Sequence, residues 1–174
     1  MYRILTLALM VIFSFTTGCD STVHKDFAFH SGEFSMEHLN ISAGLRGKDR
    51  TIGKNESVRG APYELWLSIE TPELPNEKEC SLELGNIQIT DLSSLETILI
   101  SAKEKLTFEP KENTYQAFKI FRGLEIPYEN QELKMTTYFN PSCTSSEVAN
   151  PVTIEFTKDY VQRNISFWDT LLGI

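Results

Sequence analysis

The chain has 174 residues, 41% of them hydrophobic, with 24 acidic side chains against 16 basic ones and a formal charge of −8. That length and apolar content suit one domain with a sizeable core. The acidic balance argues against nucleic acid as a partner, and against attraction to anionic lipid unless a local basic patch overrides it.

Met1-Tyr2-Arg3 is followed by an apolar stretch from Ile4 to Phe15 and by Thr16-Thr17-Gly18 before Cys19. A charged head, an apolar middle and small exit residues are the order of a secretory signal. The apolar stretch is shorter than the ~20 residues that cross a bilayer as a helix. Thr16-Thr17-Gly18-Cys19 resembles the lipobox of bacterial lipoproteins, with Thr16 where leucine is commoner. The resemblance implies that residues 1–18 are removed as a signal peptide and that Cys19 becomes the acylated first residue. It also implies a protein held in the cell envelope, facing the periplasm, with the bilayer as a partner through Cys19. Asp20 resembles the residue that retains such proteins at the inner membrane in enteric bacteria, which favours inner over outer membrane. One acyl chain holds weakly and two or more hold durably, so a fully acylated Cys19 keeps its domain beside the membrane.

Before Cys19 stand one basic residue, Arg3, and no acid, so the mature chain of 156 residues carries 15 basic and 24 acidic side chains, a charge of −9. Once Cys19 is assigned to lipid, Cys80 and Cys143 form an even pair in an oxidising compartment, which points to one disulfide. Their separation of 63 positions suits a structural crosslink, worth ~4 kcal/mol if unstrained, better than a close-spaced redox pair. Residues 19–25 read as a polar lipidated tether and residues 26–174 as a single β-rich domain.

Within that domain, Phe27 and Phe29, then Phe34 and Met36 after Gly32, alternate with smaller or polar residues and predict a first strand or strand pair. Residues 42–60 hold Gly44, Gly47, Gly53 and Gly60, and five basic residues (Arg46, Lys48, Arg50, Lys54, Arg59) against Asp49 and Glu56. With almost no large apolar side chains, they read as a long exposed basic loop. Tyr63–Glu70 is the clearest strand, apolar at 63, 65, 67 and 69. Leu82 and Leu84 have one parity and Ile87 and Ile89 the other, so Gly85-Asn86 must hold a bulge or a tight hairpin. Further strands are predicted at Ile98–Ile100, Leu106–Phe108, Tyr115–Phe121, Leu133–Phe139 and Val152–Phe156, with Pro, Gly and Asn between them. Many short alternating runs predict an all-β fold: an antiparallel immunoglobulin-like or related β-sandwich, with a short C-terminal helix as an option. That option arises because Val161, Ile165, Trp168 and Leu172 lie on one helical stripe, although the same residues also suit a strand.

No residue is marked for catalysis. His24, His30 and His38 have spacings that match no compact metal motif, and no Gly-x-Ser-x-Gly elbow occurs. Gly47 to Gly53-Lys54-Asn55 has one residue too many for a phosphate loop and lacks its Ser or Thr, so no nucleotide is expected. The expectation is therefore no cofactor, no metal, and a membrane-tethered, non-enzymatic module that binds an envelope protein partner. The alternatives are a cell-wall hydrolase using carboxylates that the sequence does not single out, and an acidic inhibitor or immunity-type protein.

Overall fold

The computed structural model describes residues 21–36, 38–72, 81–100, 103–128, 132–141, 151–166 and 169. Among them run β1 (Thr22–Phe29), β2 (Gly32–Met36), β3 (Leu39–Gly53), β4 (Glu56–Thr71), β5 (Ser81–Leu84), β6 (Ile87–Asp91), β7 (Thr97–Ile100), β8 (Glu104–Thr107), β9 (Glu109–Lys111), β10 (Thr114–Leu124), β11 (Leu133–Pro141), β12 (Pro151–Phe156) and β13 (Lys158–Ile165). They form two curled sheets, and the fold is an all-β sandwich.

The first sheet has the order β13-β1-β4-β10-β9, with β3 on the other edge of β4 and β2 beyond it. β1 lies parallel to the start of β4, while β10 runs antiparallel to the rest of that same edge. The second sheet has the order β7-β6-β11-β5-β8, with β12 on the opposite edge of β11. Apolar alternation explains the layering. Ile41, Ala43 and Leu45 of β3, and Tyr63, Leu65, Leu67 and Ile69 of β4, turn one face of the first sheet inward. Leu82, Leu84, Ile87, Ile89, Met135, Phe139, Val152, Ile154 and Phe156 answer from the second sheet, and together they make the core. The sheets touch closely at Gly32, where an added Cβ would come within 2.3 Å of the Ile154 side chain.

The predicted break at Gly85-Asn86 is a bulge. β5 and β6 lie in line along β11 with a one-residue offset between their registers, and Gly85 N–H donates to the Tyr138 carbonyl there at 2.8 Å.

Two expectations need correction, and one open choice is decided. Residues 42–60 are not a loop: they run along β3, with Ala43 and Leu45 in the core, through a two-residue turn at Lys54-Asn55 and into β4. Their backbone groups are satisfied by the ladder between these strands and by β1, which packing against a core does not supply. Thr22–Lys25, assigned from the sequence to a tether, are strand, the start of β1 paired with β13. Lys158–Ile165 is a strand and not the start of a helix, since all eight of its residues pair with β1. Beyond it, Ser166 N–H donates to Asp169 and Asp169 N–H donates to the Ser166 hydroxyl, the reciprocal pattern of a helix N-cap. Trp168 and Leu172, the rest of the proposed stripe, lie outside the described residues.

Candidate functional site

The residues singled out from sequence are dispersed. Cys19, Asp20, Cys80 and Cys143 all lie outside the described residues. His24 shares a hydrogen bond with the Ser57 hydroxyl at 2.8 Å, His30 lies 3.8 Å from the Asp159 carboxylate, and His38 sits in the turn between β2 and β3. Among the described residues no group of three His, Cys, Asp or Glu side chains is placed to hold a metal.

The basic stretch is partly neutralised. Arg59 on β4 donates from Nε and Nη2 to the two oxygens of Asp49 across the hairpin, at 2.8 and 3.2 Å. Its Nη1 reaches Asp26 on β1 at 3.2 Å, tying three strands together. This fork holds the Asp49 carboxyl below its ordinary range, with desolvation opposing and the charges of Arg59, His24 and Arg46 reinforcing it. Asp26 is buried, and its second oxygen has no partner among the described residues. Lys25 and Glu56 form another ion pair beside it.

The outward face of the first sheet carries a feature that the sequence reading missed. On β3, β4 and β10 the odd-numbered residues Ile41–Leu45, Leu65–Ile69 and Ala117 point into the core, so their even-numbered neighbours share the opposite face. There Ile120 faces Trp66, which faces Gly44, and in the next row Phe118 faces Ser68, which faces Ser42. Gly44 is required: a Cβ there would sit 2.5 Å from the Trp66 indole, whose ring lies across the strand. Phe118 is 52% exposed.

Polar pairs frame this row at both ends. Arg122 donates to Glu64 at 3.0 Å on one side; on the other, Gln116 donates to Ser68 at 2.7 Å and Lys111 to Glu70 at 2.8 Å. An aromatic and aliphatic centre inside a polar rim is the anatomy of a protein-binding patch. The signal available in the sequence was Trp66, which stands at a polar-parity position of an otherwise regular strand.

Beside Phe118 an open groove of about 480 Å³ runs between β8, β9 and β10. Its charged lining is mixed, with Lys105, Lys111 and Lys119 against Glu104 and Glu109, and Lys119 is paired with Glu104.

Comparison with models of known protein families and with curated protein sequences gives no match.

Proposed function

We propose that the protein is an acyl-anchored lipoprotein of the bacterial cell envelope whose sandwich serves as a non-enzymatic docking module for a protein partner. The address is supported by the signal-like order of residues 1–18 and by the lipobox resemblance ending in Cys19. The observation that carries the docking reading is the row Phe118, Ile120 and Trp66, turned away from the core and framed by Glu64–Arg122 and Glu70–Lys111. A rigid sheet presents such side chains at little entropic cost, because its strands are already fixed by the core behind them.

The crosslink belongs to the same reading. Leu84 faces Phe139, Glu83 faces Asn140 and Leu82 faces Pro141, and this register brings together the two stretches of chain that lead toward Cys80 and Cys143 in the sequence, which supports pairing them. Gly85 N–H donates across to Tyr138, which puts Leu84–Phe139 and Leu82–Pro141 at non-hydrogen-bonded positions of this ladder.

One preparation tests the reading. A photo-crosslinking residue is placed at Phe118, and separately at Leu99, which is 59% exposed on the second sheet. A stoichiometric adduct from position 118 in intact cells, absent from position 99, is expected. Equal adducts, or none, count against docking on this face. Intact mass of the same product is expected to show cleavage before an acylated Cys19 and a mass two hydrogens short of the free dithiol. An intact Met1 would remove the envelope address.

A further inference from the structure

The start of β1, the end of β13 and the β3–β4 turn meet at one end of the first sheet. Thr22 faces Ile165, and Val23 N–H donates to the Asn55 carbonyl at 2.9 Å. Only three residue steps separate Thr22 from Cys19, and a chain extends at most ~3.6 Å per residue, so an acylated Cys19 keeps this end within ~10 Å of the lipid.

The composition of this end differs from the rest of the molecule. Ile52, beside the turn, is 63% exposed, and Val23 and Ile165 lie partly buried at the same end. Lys54 forms the turn itself, Arg163 faces His24, and Arg50 faces Val58, all within about three residue steps of the end, ~10 Å at strand spacing. Among the described acids here, Glu56 is engaged by Lys25, Asp49 by Arg59, and Asp169, just beyond β13, by Ser166, while Arg50 and Arg163 carry no ion pair among the described residues. Thus a chain of net charge −8 gathers basic side chains around an exposed isoleucine at the end closest to its anchor.

We infer that this tip lies on the bilayer, with Ile52 entering the interfacial layer and Arg50 and Arg163 meeting anionic headgroups. Basic residues within a Debye length of an anionic leaflet are attracted to it, and a single apolar side chain adds burial that the anchor makes local. The inference rests on the lipoprotein reading and deepens it by fixing an orientation. The first sheet then stands away from the membrane, and Ser68, which Phe118 faces, lies twelve residues up β4 from Glu56, ~40 Å along the strand. The proposed docking row is presented outward, clear of the lipid.

The test uses the full-length acylated protein in proteoliposomes of phosphatidylcholine, with and without phosphatidylglycerol. A fluorescent residue is placed at position 52 or at position 118, and headgroup spin-labelled lipid is the quencher. Severalfold stronger quenching at 52 than at 118 is expected, rising with phosphatidylglycerol and reduced by Arg50→Glu with Arg163→Glu. Equal quenching at both positions, or none at either, overturns the orientation while an acylated Cys19, checked by mass, leaves the lipoprotein reading standing. Quenching at 52 that ignores phosphatidylglycerol overturns the role given to the basic residues. An unmodified Cys19 overturns both readings together.

Discussion

β3 and β4 form one long hairpin whose two halves are stabilised differently. In the inner half, Ile41, Ala43 and Leu45 face Ile69, Leu67 and Leu65, and all six are buried between the sheets. In the outer half, from Lys48 to Arg59, Val58 is the buried apolar residue, and the strands are held by their ladder, by β1 and by the Arg59 fork to Asp49 and Asp26. The same two strands thus pass from a region where apolar burial dominates to one where backbone pairing and charge do the holding. Burial of a large side chain contributes ~1.5–3 kcal/mol, whereas an exposed ion pair contributes ~0–1, so the inner half should dominate stability.

The largest expected effect breaks the comparison if it fails. Leu67→Ala, at a fully buried position of β4, should cost ~2–5 kcal/mol in urea unfolding, since the surrounding core collapses only partly into the space left. Arg50→Ala in the outer half should stay within ~0.5 kcal/mol, because Arg50 is exposed and without an ion pair among the described residues. Similar losses for the two variants would mean that the outer ribbon is integral to the core.

The middle effect lies at the seam between the halves. Tyr63 is buried with its ring 5.4 Å from that of Phe29, and its hydroxyl donates to the Phe27 carbonyl of β1 at 2.9 Å. Burial pushes this phenol above its ordinary range, so it remains a donor at any working pH. Tyr63→Phe keeps the ring and removes one buried hydrogen bond, an expected loss of about 1 kcal/mol. Hydrogen exchange should locate that loss in β1. Uniform loss of protection across the second sheet would show instead that the two halves unfold as one unit.

The same contrast explains what the sequence made legible. Strands whose stability comes from burial announce themselves by alternation, and Tyr63–Glu70, Leu133–Phe139 and Val152–Phe156 were all read correctly on that ground. The outer hairpin is invisible to the same logic. Its glycines and charges resemble a solvated loop, and what orders them is a ladder to β1, more than thirty residues earlier in sequence at Asp26↔Arg59. Lys158–Ile165 was ambiguous for a related reason: an edge strand is wet on one side and its pattern is diluted. The outward row at Trp66 was missed because Ile120 and Phe118 share its face only through the β4–β10 register, which pairing decides and local pattern does not.

The smallest effect is electrostatic and sharpens the account of the outer half. Arg59 holds the Asp49 carboxyl below its ordinary value of 3.8 in the folded protein. A depressed folded pKa means that the pair's contribution is fully present above the unfolded value and fades as pH falls through the folded one. Asp49 is more than half exposed, so the contribution should be under ~1 kcal/mol. Wild type should therefore exceed Asp49→Asn in stability by that small margin at neutral pH, and the gap should close below about pH 4, the carboxylate range. Added salt should narrow it as well, since an exposed pair is screened. A gap that persists in acid would assign the loss to the hydrogen-bond geometry around Arg59 and Asp26 and not to the charge on Asp49. In that case the outer ribbon is held by the buried carboxylate on β1, and the charge across the hairpin is incidental to it.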